Sequence, residues 1–145
     1  FLVLFRSLKI AFVAILPSML ASGSVLGLMG WLGIPLDVMT ITIAAICIGI
    51  GVDHSIHYIH RFRSEIKRQA SARIAIEISH ASTGKAIYYT SVIIVVGFSI
   101  LGLSNFIPTI YFGVFTAFAM LVSLIANLTL LPLLLLGINS GKIKT

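Results

Sequence analysis

Four long apolar stretches alternate with short polar ones along the chain. A membrane-spanning helix needs ~20 mostly apolar residues, and the pattern predicts spans over about residues 10–32, 38–59, 87–103 and 109–136. The segment Phe1 to Phe5 reads as the end of a preceding span, followed by a short turn over Arg6 to Lys9. Two compact turns join the spans in pairs, GIPLD (Gly33 to Asp37) and SNFIP (Ser104 to Pro108). The stretch of about 61–81 is too polar to span. Its residues Phe62, Ile66, Ala70, Ile74 and Ile78 recur every four positions with charges between them. That spacing predicts an amphipathic helix lying in the interface, its basic side chains near anionic headgroups. No stretch reads as a strand, and no internal repeat is evident. The expected fold is all-α, a polytopic membrane bundle of four transmembrane helices plus one cytoplasmic amphipathic helix.

Details of the first span agree with a bilayer setting. Pro17 is tolerated where neighbouring helices satisfy the carbonyl it frees. Gly23 and Gly27 have the small-xxx-small spacing that permits close helix approach, and Trp31 falls where an indole suits the interface. Composition makes the same point: 59% of residues are hydrophobic and 10% charged, against about 25% charged in a soluble domain. The chain does not begin with Met and opens on apolar residues, so it reads as a piece of something longer. The lone cysteine, Cys47, supplies neither a disulfide framework nor a Cys-based metal site.

A net charge of +6 raises the question of nucleic acid, but the distribution answers it. The basic residues are Arg6 and Lys9, then Arg61, Arg63, Lys67, Arg68, Arg73 and Lys85, then Lys142 and Lys144. Neither of the turns Gly33 to Asp37 and Ser104 to Pro108 carries one. Four spans with both ends on the basic side satisfy this count, which is the positive-inside pattern. The expected location is the cell inner membrane, with both ends cytoplasmic and no role in nucleic-acid binding.

Asp53 is the sharpest chemical feature. It precedes the basic block by several residues, which by helical rise places it roughly 9–12 Å inside the cytoplasmic end. An ionised Asp near a span centre costs about 2.5–3.5 kcal/mol on insertion scales, and such residues mark ion or proton pathways. A carboxylate poised between its two forms can load and release a proton; the structural alternative is an Asp bonded to a neighbouring helix. His54, His57 and His60 follow at three-residue steps. His57 shares a helix face with Asp53, and imidazole titrates near neutral pH, so His54 and His57 are candidate relay partners; His60 and Tyr58 equally suit an interface position. Gly49 and Gly51 are candidate packing glycines. Thr90 and Ser91 lie at a depth suited to hydrogen bonding with Asp53 or His57. Asn127, deep in the fourth span, needs a partner across helices. No metal centre is expected, because the other spans offer no further His, Cys or Glu. An aspartyl protease needs a second buried Asp, and Asp37 stands at the wrong depth.

The order of motifs resembles the membrane half of the resistance–nodulation–division superfamily, in its MmpL-like, predicted-exporter branch. The matching residues are FRS (Phe5 to Ser7), Pro17, GIPLD, GIGVDHSIHYIHRFR (Gly49 to Arg63), TGKAIYYTS (Thr83 to Ser91), GFSILGLS (Gly97 to Ser104) and LLPLLL (Leu130 to Leu135). The resemblance covers essentially the whole chain. It implies one of two similar halves, each with six spans and a large extracytoplasmic insert after the first; this chain would supply the end of the second span and the third to sixth. It further implies export of lipidic or amphipathic substrates driven by protons as the coupling ion, with no other cofactor and no enzymatic activity. Asp53, after Gly49, would carry the proton. Many such proteins have Tyr after that Asp, where this chain has His54. The relay's partners are expected in the other half of the longer chain or in a partner subunit. Sterol-sensing domains share the span order and imply a different role, a lipid-sensing or lipid-conducting module without proton coupling. A metal-dependent membrane enzyme is a distant third, requiring ligands from outside this chain.

Overall fold

The computed structural model describes residues 8–35, 37–68 and 71–140. Every regular element among them is helical: α1 (Leu8–Trp31), α2 (Val38–Lys67), α3 (Ala72–Ser79), a π-helical turn (His80–Gly84), α4 (Lys85–Leu101) and α5 (Ile107–Ser140). Four helical stretches are long and apolar enough to cross a membrane, at Lys9–Trp31, Val38–Lys67, Ala72–Leu101 and Ile107–Ile138. Phe1 to Ser7, Ala70, Lys142 and Lys144, which figured in the reading of the sequence, lie outside the described residues.

Local chemistry sets the turn between the first two spans. At the end of α1 the N–H of Ile34 bonds to the carbonyl of Met29 at 3.0 Å and that of Gly33 to Gly30 at 3.2 Å. Gly33 has φ of +69°, the left-handed conformation that closes a helix in this 6→1 pattern and that glycine adopts without a Cβ clash. Asp37 then caps α2. Its Oδ1 accepts from the Thr40 N–H at 3.0 Å, while Thr40 Oγ1 accepts from the Asp37 N–H at 2.9 Å. This reciprocal box satisfies two otherwise orphaned donors where the chain re-enters the membrane.

The amphipathic stretch over 61–81 is helical but in two pieces. The first is the end of α2, which runs straight on through Arg61, Phe62 and Arg63 to Lys67 instead of stopping near Ile59. The second is α3, started by Ser71, whose hydroxyl accepts from the Ile74 N–H at 3.4 Å. α3 buries Ala75 and Ser79 and continues through the π-helical turn into α4. Nothing from Ala72 to Leu101 interrupts helical backbone bonding, so the polar entry and the third span form one rod. The turn is held against α2 where Tyr58 Oη meets His80 Nδ1 at 3.1 Å.

α5 is the central helix, packed on α1, α2 and α4, whereas α4 leans on α5 and stands apart from α2. Two apolar clusters fill the bundle. One, toward the basic end, includes Ala14, Tyr58, Ile59, Phe62 and Leu131; the other, toward the two short turns at the opposite end, includes Val25, Met29, Ile43, Phe115 and Met120. A polar layer carries Ser18, Ser55, Ser123 and Asn127, all buried. The Ser55 hydroxyl lies 2.7 Å from Asn127 Oδ1, and Asn127 Nδ2 donates to the Ser123 carbonyl at 2.9 Å. Asn127 thus finds the partner its position demands. Asn127→Leu removes the hydrogen bond between α2 and α5, leaving the Ser55 hydroxyl only the Gly51 carbonyl of its own helix at 3.0 Å, and is expected to destabilise the bundle by about 1–2 kcal/mol. Unfolding in mixed micelles measures this; wild-type stability in the variant would refute the clamp.

Gly23 and Gly27 make no close helix approach among the described residues. A Cβ at either would meet nothing within 4 Å among the described residues. α1 packs instead through the stripe of Ala14, Ser18, Ala21 and Val25, all buried.

Candidate functional site: the open face of the second span

The helical period divides α2 into two unlike faces. One carries Cys47, Gly51, Ser55, Tyr58 and Phe62, which are buried among α1, α5 and α3. The other carries Gly49, Asp53, His57 and His60, all exposed. Asp53 and His57 side chains are 65% and 67% exposed, and His57 Nε2 stands 3.5 Å from Asp53 Oδ1. That distance permits electrostatic attraction when the imidazole is protonated, and it is longer than a good hydrogen bond. The acid is therefore not locked to a neighbouring helix of this bundle. The separation of α4 from α2 leaves a groove of about 540 Å³ beside it, lined by Asp53, His54, His57, His60, Thr83 and Thr90 among others.

His54 bridges the two faces. It lines the groove, yet only 6% of it is exposed, and its Nδ1 is buried without a hydrogen-bond partner. Thr90 faces the same groove from α4. Ser91 points inward, 1% exposed, with its hydroxyl also unpartnered. No hydrogen bond joins Thr90 or Ser91 to Asp53 or His57 among the described residues. The groove thus gathers Asp53, His54, His57 and Thr90 and leaves Ser91 behind its wall.

The two glycines before the acid have different surroundings. A Cβ on Gly51 would lie 2.6 Å from Ser18 Oγ and 2.9 Å from Ser123 Oγ, so Gly51 lets α2 press onto both α1 and α5. Gly49 makes no such contact within these helices and shares the open face with Asp53. Two further features had no clear signal in the sequence. Glu65 is buried at 5% exposure and is ion-paired to Arg61 at 3.0 Å and Arg68 at 3.9 Å, so the cation at the groove's basic end already has an acid. Gly113 admits α5 against α4, where a Cβ would meet Phe98 O and Leu101 Cβ, each at 2.6 Å.

Among the described residues no group of three or more His, Cys, Asp or Glu could hold a metal ion. What the groove offers is a carboxylate midway along a helix long and apolar enough to cross a membrane, imidazoles beside it and hydroxyls opposite. Such a set can bind, hold and pass protons.

The MMPL family model matches residues 1–141. The chain is 33% identical over 134 residues to Methanocaldococcus jannaschii protein MJ1562, covering 92% of this chain and 34% of that protein. It is 31% identical over 143 residues to Bacillus subtilis YdgH, covering 95% of this chain and 16% of that protein. Both relatives are named as membrane proteins, and the chain spans about a third and a sixth of their lengths. No solved structure matches it. With nearly its whole length matched by one family model and four helices fit to cross a bilayer, the chain belongs to the MMPL family.

Proposed function

We propose that the chain is the membrane part of one half of a proton-driven exporter of lipidic or amphipathic substrates, with Asp53 as the proton carrier and His54 and His57 as its partners. The observation that supports this reading is the exposure of Asp53: a carboxylate midway along a helix apolar enough to cross a membrane, on the open face of α2, beside His57 and a polar groove. A structural acid would be bonded into the packed side of the helix, as Asn127 and Ser55 are. An acid that must change its protonation needs access and a second surface to close against. Here that surface is the other half of the longer protein or a partner subunit. The basic end, with its Lys and Arg residues, faces the cytoplasm in this reading, so the protein sits in the cell inner membrane with both ends of this segment inside. Protons are the only coupling ion, and no metal or organic cofactor takes part.

A lipid-sensing or lipid-conducting module is the second reading. What favours it is an apolar crevice of about 180 Å³ beside the outward turns, lined by Met29, Ile43, Tyr111 and Phe112 among others. One measurement separates the two. Full-length protein carrying Asp53→Asn is assayed for substrate efflux under an imposed proton gradient. Loss of efflux supports the carrier role; undiminished proton-dependent efflux overturns it and leaves the lipid module.

A further inference from the structure

We propose that Asp53 and His57 form a two-ligand site for a divalent ion of the zinc type, and that an ion held there blocks the groove to protons. The two side chains stand four residues apart on the open face of α2, largely exposed, with His57 Nε2 3.5 Å from Asp53 Oδ1. For a hydrogen bond that separation is long, since N–H···O bonds run about 2.7–3.2 Å. For two neighbouring ligands of one ion it fits. Zinc–nitrogen and zinc–oxygen bonds of about 2.0–2.2 Å, at the tetrahedral angle, set their donor atoms ~3.3–3.5 Å apart.

The groove leaves room for the rest of the coordination shell. It holds about 540 Å³ and includes Thr83 and Thr90 in its lining, so water can fill the remaining tetrahedral positions. Arg61 also lines it, but that charge is offset by Glu65 at 3.0 Å. His54 Nδ1 is buried, and among the described residues no third protein ligand completes the set. Three protein ligands hold a resident catalytic zinc; two hold an ion that exchanges with solution. The ion is thus an inhibitor and not a cofactor. An imidazole nitrogen beside a carboxylate oxygen suits zinc and its transition-metal neighbours, whereas magnesium and calcium take oxygen ligands.

The blocking effect rests on the proton reading above. A metal needs the carboxylate ionised and the imidazole neutral, and it occupies the lone pairs that a proton would take. Asp53 bound to zinc therefore cannot load. In that reading the ion and its waters also fill the space into which the other half of the longer protein closes.

Zinc binding is measured on purified full-length protein by competition with a fluorescent zinc chelator, apart from any transport. Asp53→Asn and His57→Ala are each expected to weaken one zinc site at least roughly tenfold, since loss of a group that merely supports a ligand costs about 10–100-fold. Asp53→His returns a second donor at the same spacing and is expected to restore binding, which a purely electrostatic pull by the carboxylate would not do. Excess magnesium is expected to leave the zinc in place. In vesicles, added zinc is expected to slow efflux by the wild type and to spare the remaining efflux of His57→Ala. Zinc affinity unchanged in both Asp53→Asn and His57→Ala would overturn the site, whatever Asp53→Asn does to efflux. Equal inhibition of wild type and His57→Ala would overturn the block. Loss of zinc in Asp53→Asn beside undiminished efflux would uphold the site and sink the proton reading, so the two are told apart.

Discussion

Asp53→Asn in the full-length protein is expected to abolish proton-dependent efflux while leaving the protein's amount and stability unchanged. Both halves of that expectation come from the structure. Asn matches Asp in size, and the Asp53 side chain is two-thirds exposed with no hydrogen bond to another helix among the described residues. Stability therefore loses nothing within this bundle. What Asn cannot do is ionise. Removing a proton-transferring group lowers rates by on the order of 10²-fold or more, and efflux should fall at least that far. Asp53→Glu keeps the carboxyl on a longer arm and should retain part of the activity. His57→Ala should lower it less than Asp53→Asn, because a 3.5 Å contact between two largely exposed side chains holds weakly. Efflux driven by a proton gradient in vesicles, scored beside membrane abundance and thermal unfolding, reads all three. A variant that loses abundance and efflux together would mark Asp53 as structural.

The contrast between Asp53 and Asn127 shows what a sequence of this kind reveals and what it conceals. Both are polar residues in apolar spans, and hydropathy marks both as costly. The four long apolar helices and the two short turns that pair them were legible, because each follows from the length of apolar sequence a bilayer demands. Which face of a helix meets which neighbour is a property of the assembled bundle. Asn127 turned inward, to Ser55; Asp53 turned outward, to a groove. The charges of Arg73, Glu77 and Lys85 made the stretch before the third span resemble a separate surface helix. Helical bonding does not stop at charges, and α3 runs on into α4 through the π-helical turn pinned by Tyr58 and His80. The relation of Glu65 to Arg61 and Arg68 was present as i,i+4 and i,i+3 spacings. Its burial was not, since that depends on where α3 packs.

Glycine shows the same limit most sharply, and a graded series of three substitutions turns it into a prediction. Gly113→Ala is expected to be the most damaging. Its Cβ would stand 2.6 Å from a backbone oxygen, Phe98 O, and 2.6 Å from Leu101 Cβ. Neither atom can rotate away, so α4 must move off α5, the helix that carries most of its packing. Overpacking of this kind costs about 1–3 kcal/mol and occasionally more, and α4 has little other contact to hold it. Gly51→Ala should cost less. Its obstacles at 2.6 and 2.9 Å are the hydroxyls of Ser18 and Ser123, which can turn, and at 3.2 Å the Ser18 Cβ, which must give by a few tenths of an ångström; Ser123 would then weaken its contact with Asn127. Gly49→Ala should leave the stability of the four helices within about 0.5 kcal/mol of wild type, since nothing lies within 4 Å of the added carbon. Unfolding in mixed micelles ranks the three. An order with Gly49→Ala most damaging would show that the open face of α2 is already closed by a helix from outside this chain; equal stability of Gly113→Ala and wild type would refute the close approach of α4 to α5.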